Sequence, residues 1–305
     1  MKAELDSPLA LHSTAQLVQN IDVKELIFHY QKKFKIDVSK YFHGFDEIGI
    51  YECNTTNYKF YYPFNIDGDS AFYRKLQDFE WYYMPWKWEH EKVKGLLKGH
   101  EHILEVGSGD FGFVERMQNE GFAISGLELN EDSVIKAKQR NLNGIEESIQ
   151  NHAKTYSNTY DIVCAFQVLE HIWDVRSFIE AKIDCLKKEG KLVVAVPNND
   201  SFIRYSDGGL LNKPPHHMGL WNATSLTKLV ECFNLELEKI YYEPLQDYHL
   251  NWYVDSLIAS KFKPHGNLYR LLKKLKLKRW IYHYAKMNQK NIKGHSMLAV
   301  YKKVR

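Results

Sequence analysis

Between residues 86 and 243 the spacing of apolar positions switches repeatedly between two periods. The stretch WKWEHEKVKGLLKG (86–99) places its apolar residues at helical intervals and ends at Gly99. HILEVG (102–107) is a short apolar run, and FGFVERMQNEG (111–121) is an amphipathic helix closed by Gly121. AISGLEL, EDSVIKAKQRN and YDIVCAF repeat strand, helix and strand; VRSFIEAKIDCLKKEG, KLVVAVP, NATSLTKLVECF and LELEKIYYE continue the alternation. GHSMLAVYKK (294–303) reads as a final strand. Short apolar strands separated by amphipathic helices predict an α/β domain with a mostly parallel sheet covered on both faces.

Upstream the pattern is different. Residues 1–40 are polar, with Leu17, Ile21, Leu26 and Ile27 spaced for a short amphipathic helix, and read as an N-terminal helical extension. From Tyr41 to Trp88 the chain concentrates 17 of its 43 aromatic residues, so residues 41–85 read as a small aromatic-rich subdomain. YECNTTNYKFYYPF (51–64) is strand-like on both sides of an NTTN turn, and DGD (67–69) opens a helix through Phe72, Leu76 and Phe79. Those rings either form the subdomain's own core or provide a platform on which sugar rings or flat ligands stack.

Composition changes the picture through charge. The chain has 305 residues, 44% hydrophobic and 26% charged, which excludes a disordered or fibrous protein. Its net charge of +3 conceals a division: residues 1–255 hold all 38 acidic residues against 27 basic ones, a net −11, whereas the last fifty hold 14 basic residues and no acid. An acidic body with a basic appendage suggests an anionic partner. Cys53, Cys164, Cys185 and Cys232 include no CxxC pair and read as reduced thiols. Glu4 and Asp6 stand where a signal peptide needs basic and then apolar residues, and the expected location is cytoplasmic.

The chemistry starts at the turn after the first sheet strand, Glu105-Val-Gly-Ser-Gly-Asp-Phe-Gly112. Gly107 and Gly109 let the backbone approach a ligand, and the following helix start offers unpaired N–H groups. Twenty-one residues beyond Gly107, Glu128 ends the second strand, where a carboxylate can accept both ribose hydroxyls of an adenosine. LEVGSGDFG, LELN, YDIVCAFQVLEHI and KEGKLVVAVPN, in that order, resemble the successive motifs of class I S-adenosylmethionine-dependent methyltransferases. The nearest resemblance is to the branch containing ubiquinone-biosynthesis O-methyltransferases and many bacterial methyltransferases of uncharacterised substrate. It covers about residues 86–240 and the final strand.

The resemblance implies a Rossmann-like methyltransferase fold, with a seven-stranded sheet whose final strand is antiparallel, and S-adenosylmethionine as cofactor. It implies that Glu105 and the backbone of Gly107, Ser108, Gly109 and Gly112 hold the amino-acid end, that Glu128 takes the ribose with Leu129 beside the adenine, and that Phe166 and Gln167 border the methionine portion. Ser148 and Ile149 stand where an acidic residue often reads the adenine edge. If the acceptor atom is a hydroxyl oxygen, a histidine is a suitable base, and His171, His216 and His217 fall in loops at the carboxyl ends of strands. For His216 and His217, anchoring of their Pro-Pro-His-His loop stands beside base catalysis as a reading. Glu170 and His171 are residue types of a divalent-metal site but also suit a helix start, and no metal is assigned. Asn198, Asn199 and Asp200 are either acceptor-loop residues or turn caps.

A segment at about 245–294 is too long for a hairpin and reads as a basic insertion within the methyltransferase domain, which as a whole spans 86–305. Leu268, Leu271, Leu272 and Leu275 fall at helical spacing among Lys273, Lys274, Lys276, Lys278 and Arg279, with Trp280, Tyr282 and Tyr284 following. Residues 261–284 suit peripheral contact with an anionic membrane, packing on the domain with lysines in solvent, or steering of a phosphorylated acceptor. No nucleic-acid module is visible. The expected function is methyl transfer, with oxygen of a small-molecule or saccharide acceptor preferred over nitrogen or carbon. The alternative is a catalytically inactive binding module at a membrane or in an assembly.

Overall fold

The structure is a computed structural model and describes residues 5–79, 82, 84–205, 209–261 and 277–304. The N-terminal part contains β1 (Leu5–Asp6), β2 (Thr14–Asp22), α1 (Val23–Phe34), β3 (Glu47–Cys53), β4 (Lys59–Tyr62) and α2 (Ser70–Gln77). Then come α3 (Trp88–Lys94), β5 (His102–Val106), α4 (Gly112–Asn119), β6 (Ala123–Glu128), α5 (Glu131–Gln139), β7 (Gly144–Glu146), α6 (Ile149–Thr155), β8 (Tyr160–Phe166) and α7 (Val175–Cys185). The remainder is β9 (Leu186–Pro197), β10 (Gly219–Leu220), α8 (Ala223–Thr227), β11 (Leu235–Pro244), α9 (Leu250–Lys261), α10 (Leu277–Met287) and β12 (Lys293–Lys303).

Seven strands form one sheet in the order β11-β12-β9-β8-β5-β6-β7. All its pairings are parallel except the two made by β12, which runs antiparallel to both β9 and β11. Alternate residues serve opposite faces, as strand geometry requires. Leu104, Val163, Val194 and Ala299 meet Phe178 and Ile179 of α7 on one face. Ile103, Ile162, Val193 and Leu298 meet Phe113, Val114 and Met117 of α4 and Val134 of α5 on the other. This two-sided burial explains why the strands read as unbroken apolar runs.

The second sheet is antiparallel, in the order β1-β2-β3-β4-β10, and corrects two expectations. Leu17 and Ile21 lie in strand β2, not in a helix: β2 pairs with β3 from Ala15↔Cys53 to Asp22↔Glu47. The helix begins only where Asp22 caps it, accepting the Glu25 N–H at 2.8 Å, so Leu26 and Ile27 alone of the four fall in α1. Nor is the aromatic segment set apart from what precedes it, because residues on both sides of position 41 share this sheet. Tyr61, Ile48 and Ile50 pack with Leu26, Tyr30 and Phe72 of α1 and α2 on one face, while Tyr58, Phe60 and Cys53 join the core of the larger sheet.

The edge strand β10 comes from the loop after β9, more than 150 residues later in the chain than its partner. Gly219 pairs with Phe60 and Leu220 with Lys59. Beside it, Trp221 is fully buried with its ring centroid 4.2 Å from that of Tyr58. In the basic insertion, α9 and α10 pack through Leu250, Val254, Ile258 and Ala285 against Phe202 and Ile203. Leu268, Leu271, Leu272, Leu275, Lys273, Lys274 and Lys276 lie outside the described residues. No helix among the described residues is long and apolar enough to cross a membrane.

Trp221 heads the fully buried side chains by size among the described residues and packs with residues of both sheets. Trp221→Ala is expected to cost about 3–5 kcal/mol by removing buried contacts and leaving a cavity. Denaturant unfolding monitored by circular dichroism measures it, and a loss well under 1 kcal/mol would show that the junction does not depend on this ring.

Candidate active site

A cavity of about 1450 Å³ opens at the carboxyl ends of the parallel strands. Below it β5 ends at Val106 and the chain turns through Gly107 (φ +77°) and Gly109 (φ +56°) into α4. A Cβ on Gly107 would sit 2.6 Å from Val168 Cγ2, so the turn has room only for glycine there. The Gly109 N–H donates to Glu128 Oε2 at 2.8 Å, and Glu128 Oε1 accepts from the N–H groups of Leu129 and Asn130 at 2.9 and 3.0 Å. Three backbone donors thus hold the carboxylate facing the turn, and its oxygens keep lone pairs for further hydroxyls.

Gly107, Gly109, Glu128 and Leu129 line the cavity, as do Ser148 and Ile149 at the start of α6 and Phe166 and Gln167 at the end of β8. The side chain of Leu129 is a largely open apolar surface at 70% exposure. Ser148 caps α6, its hydroxyl accepting the Asn151 N–H at 3.3 Å. Gln167 has φ +55°, and its amide reaches Ser296 Oγ at 3.3 Å.

Glu105, Ser108 and Gly112 do not line the cavity. Strand alternation puts Glu105 on the same side as Ile103, so it is buried beneath the turn, and its Oε2 has no hydrogen-bond partner. Burial raises its pKa to about 8. Glu105 therefore supports the turn from below rather than facing a ligand. Ser108 is buried with its hydroxyl 3.5 Å from the Glu105 carbonyl, and Gly112 lies at the start of α4 against Pro85.

His171, His216 and His217 come together in the lining of the same cavity, with ring centroids 4.5–4.8 Å apart. His171 follows β8 in a short 3-10 turn, while the other two lie in the loop leading to β10. Burial lowers the pKa of His171 to about 4, and burial, with the neighbouring imidazoles adding to it, holds those of His216 and His217 well below the ordinary range. Asn198, Asn199 and Asp200 do not line the cavity: the Asn199 amide donates to the Trp221 carbonyl at 2.9 Å and Asn198 Oδ1 accepts the Asp200 N–H at 3.2 Å, so they hold the turn.

Other lining residues carried no local sequence signal. Tyr73 and Tyr82 come from the N-terminal part, while Glu243, Tyr248, His249 and His295 come from the end of β11, the approach to α9 and the start of β12. Glu243 Oε2 accepts the Ser296 N–H at 3.0 Å and Oε1 the Tyr248 hydroxyl at 3.3 Å. Burial pushes its pKa to about 7. Only their separation from the glycine turn in sequence hid them, since histidine and glutamate at strand ends are the residue types that a directed search of this fold would seek.

The sequence model of the methyltransferase-domain family matches residues 81–240, more than half of the chain. The chain belongs to the class I S-adenosylmethionine-dependent methyltransferase family. It is similar to the ubiquinone biosynthesis O-methyltransferase of Salmonella paratyphi A, with 31% identity over 116 residues, 36% of this chain and 47% of that protein. The enzyme of the same name from Escherichia coli O127:H6 is 28% identical over 116 residues, again 36% of this chain and 48% of the other. The chain spans about half the length of the curated relatives it matches. In fold it resembles a SAM-dependent methyltransferase from Thermotoga maritima (TM-score 0.51, 15% identity, 76% of this chain and 98% of that one). Another from Archaeoglobus fulgidus has a TM-score of 0.50 at 17% identity, over 77% of this chain and 100% of that one.

The raised pKa of Glu105 has a measurable consequence. The group binds a proton more tightly in the folded chain than its ordinary value of 4.5 allows, so its contribution to stability is full below about pH 4.5 and is lost as pH rises toward about 8. Glu105→Gln cannot ionise. Its melting temperature is expected to match the parent's at the acid end and exceed it increasingly toward pH 8, as thermal melts of the two proteins would measure; a constant difference across the range would contradict it.

Proposed function

We propose that this protein transfers the methyl group of S-adenosylmethionine to a hydroxyl oxygen of a small-molecule acceptor, saccharides included, bound between the glycine turn and the histidine wall. The observation that carries this reading is that Glu128 and the turn share one cavity with three imidazoles whose Nδ1 positions are each committed to a fixed oxygen. The residues fit the cofactor: Gly107 and Gly109 admit its amino-acid end, Glu128 has lone pairs for the ribose hydroxyls, and Leu129 and Ile149 offer apolar cover to the adenine. When bound, the cofactor supplies a methyl group already activated by its sulfonium.

The protein's part is then alignment and handling of one proton. An acceptor hydroxyl can donate to His171 Nε2, which orients the oxygen and gives its proton a destination as the new bond forms. Phe166 and Gln167 line the same cavity and would border the reacting end. The tyrosines contributed by the N-terminal part, Tyr73 and Tyr82, close the acceptor side.

Isothermal calorimetry with S-adenosylhomocysteine tests the cofactor half, and the absence of binding would overturn it. Glu128→Ala is expected to weaken that affinity roughly tenfold or more, the effect of removing charge-assisted hydrogen bonds worth about 1.5–3 kcal/mol. His171→Asn is expected to leave the affinity within about twofold while slowing methyl transfer to a hydroxylated acceptor on the order of a hundredfold, the scale of general-base assistance. A chain that binds the product yet methylates no acceptor from a panel of phenols and saccharides would favour the binding-module alternative.

One further observation favours an acceptor carried on an anionic surface. On α10, Trp280, Tyr284 and Met287 are 72%, 68% and 86% exposed and recur at helical spacing beside Lys278, Arg279 and Lys286. Replacing Lys273, Lys274, Lys276 and Lys278 by Gln is expected to reduce co-sedimentation with anionic vesicles and to leave S-adenosylhomocysteine affinity unchanged. Equal loss of both would make the segment structural.

A further inference from the structure

We infer that His171, His216 and His217 form a binding site for a divalent transition-metal ion, in the class of Zn²⁺ or Co²⁺, facing the acceptor side of the cavity. Each ring offers one nitrogen, and the three nitrogens lie within 4.8 Å of one another. The inference deepens the function proposed above and rests on it for the identity of the ion's remaining ligand, an oxygen of the acceptor; an ion held on His171 Nε2 would replace that nitrogen as the proton acceptor, polarising the acceptor hydroxyl so that its proton passes to solvent.

The hydrogen bonds fix which nitrogen each ring has to give. His171 Nδ1 is 2.6 Å from the carbonyl oxygen of His216, and His216 Nδ1 is 2.8 Å from that of Leu211. A carbonyl only accepts, so both Nδ1 atoms carry hydrogen. For His217 the polarity is set through a relay. The Trp221 carbonyl accepts from the Asn199 amide at 2.9 Å, Asn199 Oδ1 from the Asn212 amide at 2.7 Å, and Asn212 Oδ1 from His217 Nδ1 at 3.0 Å. A backbone carbonyl at one end thus dictates both amide orientations and the imidazole tautomer at the other.

All three rings are left with a lone pair on Nε2. His216 Nε2 is 3.0 Å from the Tyr82 hydroxyl, which can donate to it and which an ion would displace. Imidazoles whose second N–H is held by a carbonyl or amide oxygen are the usual construction of histidine metal ligands. Three neutral nitrogens favour borderline ions over Mg²⁺ or Ca²⁺, and three protein ligands leave a position open, as in catalytic rather than structural zinc sites. Zn–N bonds of about 2.0–2.1 Å place ligand nitrogens roughly 3.4 Å apart, so the rings close by about an ångström on loading. Asn199 and Asn212 are positioning residues.

The test uses the full, untagged chain, stripped with chelator and titrated with Co²⁺ while visible absorption is recorded, then with Zn²⁺ in competition. About one Co²⁺ per chain, with the ligand-field bands of a nitrogen-coordinated ion and displacement by Zn²⁺, is expected. His217→Ala and His171→Ala should each weaken Co²⁺ binding at least about tenfold, and Asn212→Ala should weaken it less. S-Adenosylhomocysteine affinity, measured on the same samples, should be unchanged in all of them and certifies that each variant is folded. A stripped chain that takes up less than a tenth of an equivalent, or uptake unaltered in folded variants lacking these imidazoles, would overturn the site. If that chain still methylates hydroxyl acceptors, the metal inference alone fails; if cobalt binds at the histidines but S-adenosylhomocysteine does not, the methyltransferase reading alone fails.

Discussion

The peptide unit of Met218 joins the two halves of the molecule. Its N–H donates to the Glu170 carbonyl at 2.7 Å, just after β8 of the larger sheet, and its carbonyl accepts the Tyr61 N–H at 2.9 Å, from β4 of the smaller one. Both ends are inaccessible to water, where an unsatisfied backbone group costs about 1–3 kcal/mol, so the two bonds are needed together. His216 and His217 immediately precede this residue, and Gly219 follows it into the edge pairing with Phe60. The histidine wall is therefore held against both sheets at once, while the glycine turn and Glu128 belong to the larger sheet alone.

Burial governs the chemistry of the titratable groups in and beneath the cavity walls. Glu105 and Glu243 are held toward the neutral acid, and the three histidines toward neutral imidazole, each mainly because the charged form would lose its hydration. Glu128 differs in being satisfied by three backbone N–H groups at the rim. The same cavity lining thus offers a fixed carboxylate with spare lone pairs and a cluster of nitrogen lone pairs.

The larger sheet was legible because its signals are local: strand runs, helix periods, and a glycine turn followed at fixed distance by an acid. The same locality explains what was missed. Leu17 and Ile21 fit a helical spacing, but the partner that makes them a strand lies about thirty residues away and the Asp22 cap sets the helix start beyond them. Glu105 sits in the expected motif, yet strand alternation turns it under the ligand-facing turn. His171, His216 and His217 were each marked by their loops; that they meet depends on Gly219 and Leu220 pairing with β4, which no short-range pattern encodes. Glu243 and His295 enter the site because β12 runs back between β9 and β11.

Strand β10 is only two residues long, yet it sets what can vary independently in such a protein. A lineage could replace helices on the outer faces of the larger sheet, or the surface of α9 and α10, without touching the acceptor wall. It could not exchange the N-terminal sheet by itself, because the loop bearing His216 and His217 completes that sheet's edge. The two segments, more than 150 residues apart, form one unit of inheritance, and any recombination that imports one must import the other.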